Sequence, residues 1–146
     1  MASSSARAAI EGAIPHRDPF LFVTDVIERG EATITTEWEV PADMAVFQGH
    51  FPGNPVLPGV LISEHVFQSA AILIYETEKG TKDLPGTPVL TRIQDARFKR
   101  IVKPGETLRT EVTITDSLSN ARFGKAKVRC EGKTVATLNF ALAVTP

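Results

Sequence analysis

The sequence predicts an α+β domain in which one long, mostly buried helix is wrapped by a curved antiparallel sheet of five to seven strands. A helical pattern runs from Pro58 to about Thr77, and its apolar residues cover nearly the whole circumference of the helix. Segments in which buried-type and polar residues alternate lie on both sides of this helix and predict strands. The 146 residues suit a single domain, so we treat residues 1–146 as one unit.

The composition excludes several classes of protein. Hydrophobic residues make up 42% and charged residues 23% of the chain, which is typical of a soluble globular protein. The 16 Lys and Arg against 17 Asp and Glu give a net charge of −1, so no nucleic-acid partner is expected. The longest unbroken apolar run, Ala70 to Tyr75, is too short to span a membrane, so no membrane partner is expected. The opening residues lack the apolar core of a secretory signal, which favours a cytoplasmic location.

Metal-ligating residues are sparse. Cys130 is the only cysteine, which excludes an internal disulfide bond. The three histidines, His16, His50 and His65, form no ligand cluster with it. A metal site is therefore not expected.

A short helix and two strands are expected before the long helix. Residues 1–13 predict a disordered lead-in followed by a helix from Ala6 to Ala13, which Pro15 ends. Leu21–Ile27 predicts a first strand, and Gly30-Glu31 a turn after it. Residues 31–40 then alternate with a period of two. The face of that strand expected to be buried carries Ala32, Ile34, Thr36, Trp38 and Val40.

The second half of the chain predicts further strands. A Gly- and Pro-rich loop with apolar anchors, Phe47 to Pro58, leads into the helix, and Pro58 suits its first position. Lys79-Gly80 is expected to close the helix. Strands joined by short turns pair antiparallel, and a sheet curled around one helix leaves an edge and an open face, both of which favour a dimer. The strands are expected at residues 89–102, 108–114, 121–130 and 138–144, with a turn at 131–133.

Two side chains near the helix start can carry acid–base chemistry. Glu64 lies on an otherwise apolar helix, where a buried carboxyl either finds partners such as Gln68 or keeps its proton. We therefore weigh a structural ion pair against a general acid whose pKa is raised by burial. His50 lies in the loop before the helix, where a rigidly held imidazole suits proton transfer. A plain surface histidine is the alternative, but a fixed histidine and a buried carboxyl separated by one tight loop can share a cleft.

The start of the helix offers free backbone donors. Pro58 has no N–H and Leu57 cannot cap with its side chain, so the N–H groups of Gly59 and Val60 lack an obvious partner. Such donors at the positive end of a helix suit an oxygen that gains negative charge. Water, or a loop residue such as Asn54, is the alternative cap.

The remaining candidates are assigned mainly to structure. His65 points about 100° away from Glu64 around the helix and is expected in the core or in an interface. His16 is expected to order the chain before the first strand, and Cys130 to be a small buried residue. A basic run forms either the wet face of a strand or a docking surface for an acidic partner. The run consists of Arg97, Lys99, Arg100 and Lys103.

The central motif matches a known family. Residues 48–61 read QGHFPGNPVLPGVL and are followed by Glu64 and Gln68. This pattern closely resembles the (3R)-hydroxyacyl-acyl-carrier-protein dehydratases of type II fatty acid synthesis. Two flanking blocks agree more loosely with the same family, IPHRDPFL at residues 14–21 and ARFKRIVKPG at residues 96–105.

The resemblance implies the hot-dog fold and removal of water from a 3-hydroxyacyl thioester on an acyl carrier protein. His50 would take the C2 proton, and Glu64 of the other subunit of a dimer would protonate the departing hydroxyl. A glutamate at this position is typical of the branch that dehydrates without isomerising. The N–H of Gly59 would polarise the thioester carbonyl, and no metal, nucleotide or flavin is needed. The substrate-binding residues would be Gly59, Val60, Phe51, Phe67 and Gln68.

The resemblance also suggests a trimer of dimers. If the basic run docks an acidic partner, Arg97, Lys99, Arg100 and Lys103 would form part of the docking surface for the acyl carrier protein. Phe67 either reshapes the acyl tunnel or belongs to the plain core. Fatty acid, lipid A and polyketide-like synthesis all fit the motif.

Two other functions are weighed against dehydration. A hot-dog thioesterase would also use a helix carboxylate, but the intact His50 loop disfavours it. A non-catalytic acyl-binding or partner subunit would need neither side chain, and the presence of both His50 and Glu64 disfavours it.

Overall fold

The computed structural model describes residues 3–79 and 86–145. Helix α3 is the long helix that the sequence predicts. The helices are α1 Ser4–Ala13, α2 Val46–Gly49 and α3 Gly59–Glu78. The strands are β1 Asp25–Arg29, β2 Thr33–Glu39, β3 Thr87–Phe98, β4 Thr107–Leu118, β5 Ala121–Cys130 and β6 Lys133–Thr145.

The six strands form one antiparallel sheet in the order β1-β2-β4-β5-β6-β3. The sheet wraps α3, in which every residue from Ile62 to Ile74 is buried except Glu64. This arrangement confirms the predicted α+β class and the hot-dog fold. Strands β1 and β3 lie at the two edges, and β3, with 12 residues, is by far the longer edge.

The core lies between α3 and the face of the sheet that it covers. Val66, Ala70 and Leu73 of the helix are at most 1% exposed, and Leu108 and Val112 of β4 are fully buried. Alternate residues of β4 face this core, so the apolar residues of its period-two sequence pattern are the ones that are buried. Each fully buried side chain of this size stabilises the fold by roughly 1.5–3 kcal/mol.

The bounds of β3 and β6 correct the predicted ones. Strand β3 ends at Phe98 and not at Val102, because the carbonyl of Val102 accepts a hydrogen bond from the N–H of Leu57 at 2.8 Å. The chain beyond β3 therefore pairs with the loop that precedes α3. Strand β6 begins earlier than predicted, since the two-residue turn at 131–132 lets Cys130 pair with Lys133 at once.

The predicted first strand was wrong in its first half, because Leu21 to Thr24 lie outside β1. The backbone of Phe22 bonds to α3 instead of to a neighbouring strand. Its N–H donates to Oε1 of Gln68 at 2.7 Å, and its carbonyl accepts from Nδ1 of His65 at 2.6 Å. Polar side chains of the buried helix thus replace a strand partner for Phe22.

The first residues of α1 and α3 differ from the predicted ones by two residues and one residue, respectively. Helix α1 begins at Ser4, because the hydroxyl of Ser3 accepts a hydrogen bond from the N–H of Ala6 and caps it. Ser4 and Ser5 are therefore helical and not part of a disordered lead-in. Pro58 is the N-cap of α3, one residue before its expected place. Gly80, expected to close α3, lies outside the described residues.

His65 is a core histidine, as expected, and both of its ring nitrogens have partners. Because the Phe22 carbonyl can only accept, Nδ1 carries the proton and Nε2 accepts from the hydroxyl of Thr110 at 2.8 Å. Complete burial lowers the pKa of His65 to about 4, and the hydrogen bond to the Phe22 carbonyl opposes that shift. His65 is thus a neutral part of the fold.

The buried neutral His65 predicts a loss of stability in mild acid. The unfolded chain binds a proton near pH 6.5, whereas the folded chain resists it until about pH 4, so stability is full above pH 6.5 and falls as the pH drops towards 4. The loss attributable to His65 amounts to about 3 kcal/mol. Urea unfolding of wild type and His65→Gln at several pH values measures it. A variant whose pH dependence matches that of wild type would contradict this assignment.

Candidate active site

The loop that presents His50 is closed by nested hydrogen bonds. The N–H of Val56 donates to the carbonyl of His50 at 2.8 Å. Inside that closure, Phe51 and Asn54 exchange two backbone hydrogen bonds of 3.1 and 2.8 Å. Gly53 takes a φ of 74° at the tip, which favours glycine. The Gly- and Pro-rich sequence therefore forms an ordered loop, as the sequence predicts.

One hydrogen bond fixes the protonation pattern of His50. Its Nδ1 lies 2.7 Å from the carbonyl oxygen of Val56, which can only accept, so Nδ1 carries the proton. The neutral ring then has its lone pair on Nε2. The ring also stacks on Phe51, with centroids 4.1 Å apart. His50 is thus rigidly oriented, and its Nε2 is the ring nitrogen that can accept a proton.

The start of α3 adds two backbone donors beside this histidine. Its N-cap, Pro58, makes no side-chain cap, and no described residue accepts a hydrogen bond from the N–H of Gly59 or Val60. A Cβ placed on Gly59 would lie 3.2 Å from the ring of Phe98, so the glycine permits this ring to approach the helix end. The free N–H groups can stabilise an oxygen that gains negative charge.

His50 and Gly59 line the same cavity of about 390 Å³. Apolar side chains from the end of β3 and beyond it form part of its wall, and Phe98 and Ile101 are 47% and 66% exposed in the single chain. Lys99 and Arg100 lie at the same cavity. The imidazole of His50, the free N–H of Gly59 and two cationic side chains therefore surround a space open to a ligand.

Glu64 lies in a more polar environment than the sequence predicts. Its side chain is 24% exposed, and its Oε2 accepts a hydrogen bond from Nε2 of Gln68 at 3.1 Å. Nε2 of His16 lies 3.6 Å from the same oxygen. The hydrogen bond to Gln68, one of the two alternatives expected for Glu64, is therefore present, and the contact with His16 arises because α3 turns this position towards the chain that precedes β1.

Glu64 is not among the residues that line the His50 cavity. Glu64 lies five positions after Gly59, which places them about 7.5 Å apart along the helix axis and about 140° apart around it. Within one chain the structure therefore keeps the two expected catalytic side chains on different sides of α3.

The other expected substrate-binding residues have different surroundings. Val60 and Phe51 are 75% and 51% exposed and remain available for contacts beyond the chain. Phe67 is buried and meets the ring of Phe140 edge to face, with centroids 5.6 Å apart. Gln68 is 1% exposed, and its amide joins Glu64 to the segment before β1.

The expected basic run divides into three parts. Arg97 and Lys99 line a groove of about 520 Å³ on the sheet, on strands β3 to β6. Arg100 faces the His50 cavity, which Lys99 also lines. Lys103 does not share their strand face, because β3 ends at Phe98 and Lys103 forms a turn in which its N–H bonds to the carboxylate of Glu106.

Several contributors to these surfaces were not identified from the sequence. Three cationic side chains of β5 line the groove beside Arg97. The period-two pattern of β5 indicates that these three side chains lie on the same face of the strand. They are Lys125, Lys127 and Arg129. His16, assigned only to ordering the chain, contacts Glu64. Cys130 is only partly buried, and burial together with Glu106 raises its thiol pKa to about 11.

Residues 3–79 and 86–145 contain neither a cluster of metal ligands nor a membrane-spanning helix. No three His, Cys, Asp or Glu side chains in these ranges converge as metal ligands would. None of the described helices is both long and apolar enough to cross a membrane.

The fold is shared with solved structures of low sequence identity. The dehydratase heterocomplex ApeI:P from Xenorhabdus doucetiae contains a chain with a TM-score of 0.77 and 15% identity, over 94% of this chain and 91% of the other. The PaaI protein of the E. coli phenylacetic acid degradation operon has a TM-score of 0.63 and 18% identity, over 82% and 81%. These similarities support the hot-dog architecture.

Sequence relatives are more specific. Residues 14–139 match the family described as the FabA-like domain. The chain is 42% identical over 128 residues to the 3-hydroxyacyl-[acyl-carrier-protein] dehydratase FabZ of Lactobacillus helveticus, which covers 86% of this chain and 81% of that one. It is also 42% identical over 137 residues to FabZ of Thermotoga neapolitana, over 92% and 94%. The chain therefore belongs to the FabA-like family and, within it, to the 3-hydroxyacyl-[acyl-carrier-protein] dehydratases.

Proposed function

We propose that the protein removes water from a (3R)-3-hydroxyacyl thioester carried by an acyl carrier protein and forms the trans-2-enoyl thioester, as in type II fatty acid synthesis. The observation that carries this proposal is the fixed tautomer of His50. Its Nδ1 is bonded to the Val56 carbonyl, so Nε2 is free to take a proton at a cavity that also contains Gly59.

Gly59, His50 and Glu64 each act in one step of the proposed reaction. The N–H of Gly59 stabilises the thioester oxygen as it gains negative charge, which makes the C2 proton more acidic. Nε2 of His50 takes that proton, and the electron pair of the C2–H bond forms the C2=C3 double bond. Glu64 gives its proton to the 3-hydroxyl as the C3–O bond breaks, and water leaves. Return of the proton from His50 to Glu64 through solvent restores both groups.

A second copy of the chain completes this site. Within one copy Glu64 lies away from the His50 cavity, while β3 exposes an apolar edge. Its exposed apolar side chains include Val89, Leu90 and Ile93, each more than 40% accessible. A long apolar edge strand needs a cover, and pairing of β3 with β3 of a second copy supplies it. The trimer of dimers remains an expectation of the resemblance.

The carrier's docking surface is the groove that Arg97 and Lys99 share with β5. It contains five cations against two carboxylates, Asp95 and Glu111. Only one of the cations, Arg129, forms an ion pair within the described ranges, with Glu111 at 3.0 Å. An acidic carrier complements such a surface. Lys99 lines both the groove and the His50 cavity, so a carrier in the groove lies next to the reacting centre.

Hydrolysis of the thioester is the alternative reaction, since some proteins of this fold are named as thioesterases. Those likenesses show the fold alone, whereas the relatives near 40% identity are named as dehydratases. Incubation with a 3-hydroxyacyl thioester separates the reactions: an increase in enoyl absorbance reports dehydration, and free thiol reports hydrolysis.

Replacing the base should abolish dehydration without unfolding the protein. We expect His50→Ala to lower kcat at least about 100-fold, because the general base is lost. Enoyl formation from a 3-hydroxyacyl carrier thioester measures the rate, and circular dichroism checks the fold. The matched control is Gln48→Ala, which truncates an exposed side chain just before the loop and should retain wild-type turnover. A folded His50→Ala enzyme with near-normal kcat would refute the role of His50.

Reversing one charge in the groove should weaken docking alone. Lys127 lies opposite Thr137 of β6, which in turn lies opposite Arg97 of β3. We expect Lys127→Glu to raise KM for the carrier-bound substrate about fivefold at low salt, since the loss is near 1 kcal/mol, and less at high salt.

The control for this charge reversal is Lys103→Glu, which makes the same charge change outside the groove. It should leave KM for the carrier-bound substrate within about twofold of wild type. A small uncharged thioester should be turned over equally by all three proteins. The groove is not the docking surface if both variants raise KM for the carrier-bound substrate alike. The same conclusion follows if Lys127→Glu slows turnover of the small substrate as much as that of the carrier-bound one.

A further inference from the structure

The carboxylate of Glu64 is approached on one oxygen by two nitrogens. Nε2 of Gln68 donates to Oε2 at 3.1 Å, and Nε2 of His16 lies 3.6 Å from the same atom. The side chains of His16 and Glu64 are each 24% exposed, so both are shielded from most of the solvent. The other oxygen, Oε1, makes no hydrogen bond with a described residue.

The loop before β1 holds His16 firmly. The guanidinium of Arg17 donates to three carbonyls, those of Glu11, Ile14 and His16 itself, at 3.0, 2.9 and 2.7 Å. The imidazole of His16 stacks on Phe20, with centroids 6.4 Å apart. A surface histidine would not need such an arrangement.

The hydrogen bonds of His16 differ from those of a structural histidine. Nδ1 of His16 is buried and has no hydrogen-bond partner among the described residues. Both nitrogens of His65, in contrast, are satisfied within the core. An unpaired buried nitrogen costs stability, so the ring is not placed there to strengthen the fold. The polar contact that the structure gives the ring is the one to Glu64.

We infer that His16 is a positioning residue, which together with Gln68 anchors Oε2 of Glu64 and leaves Oε1 as the oxygen that delivers the proton. The separation of 3.6 Å is slightly longer than a hydrogen bond, and a small rotation of either side chain brings the N–H of His16 within hydrogen-bond distance of Oε2. Catalytic hydrogen bonds commonly tighten in this way when substrate binds. This inference rests on the proposed function, in which Glu64 is the acid.

Two substitutions at residue 16 test the inference. His16→Leu keeps the bulk but removes the nitrogen, whereas His16→Gln keeps an N–H donor close to the position of Nε2. We expect His16→Leu to lower kcat about tenfold or more with KM within about twofold, and His16→Gln to recover most of the loss. The urea midpoint of His16→Leu should equal or exceed that of wild type, because an unpaired buried nitrogen is removed.

A double-mutant cycle shows whether His16 acts through Glu64. In the Glu64→Gln background, His16→Leu should change kcat less than about twofold, because the proton that His16 helps to place is already absent. An equal loss in both backgrounds would overturn the inference, as would a His16→Gln variant no better than His16→Leu.

The cycle also separates this inference from the proposed function. If Glu64→Gln is inactive but His16→Leu has normal kcat, only the role of His16 fails. If Glu64→Gln itself turns over at a near-normal rate, the acid role of Glu64 in the proposed function fails, and the role of His16 fails with it.

Discussion

The geometry of the acidic half of the site depends on one buried amide, that of Gln68. Its oxygen accepts from the N–H of Phe22, while its nitrogen donates to the carbonyl of Phe20 and to Oε2 of Glu64. A helix buried in an apolar sheet offers few polar groups, so the chain that crosses it needs such a side chain to satisfy its backbone. The same amide therefore joins the fold before β1 to the carboxylate that the proposed reaction uses.

The two halves of the site are built by different means. The proposed acid, Glu64, is held by Gln68 of its own helix and approached by His16 from a distant part of the chain, whereas the proposed base, His50, is held by its own loop through the Val56 carbonyl. In both places a carbonyl or amide fixes which atom carries a proton. The histidines illustrate the consequence: His65 uses both nitrogens for the fold and is inert, while His50 keeps Nε2 free. The number of partners, and not burial alone, separates a structural histidine from a functional one.

Most helices and strands could be predicted from the sequence, because the alternation of apolar and polar residues has the period of the helix or strand that it forms. The bounds of β5 and most of α3 follow from that period, and the motif around His50 and Glu64 is contiguous. Contacts between distant residues leave no such trace. His16 and Glu64 are 48 positions apart. The N–H of Phe22 donates to Gln68 and not to a neighbouring strand, although the apolar pattern predicts a strand there. The groove beside Arg97 likewise arises from sheet order, which places β6 between β3 and β5.

In the proposed function, His50 of one copy and Glu64 of another form one site. Co-refolding equal amounts of His50→Ala and Glu64→Gln chains tests it, since random pairing makes half of the dimers hybrid and restores one intact site in each. The account predicts that turnover rises to about a quarter of the wild-type value, far above either variant alone. Turnover of the mixture no greater than the mean of the two separate variants, with hybrid dimers shown to be present, would contradict a shared site.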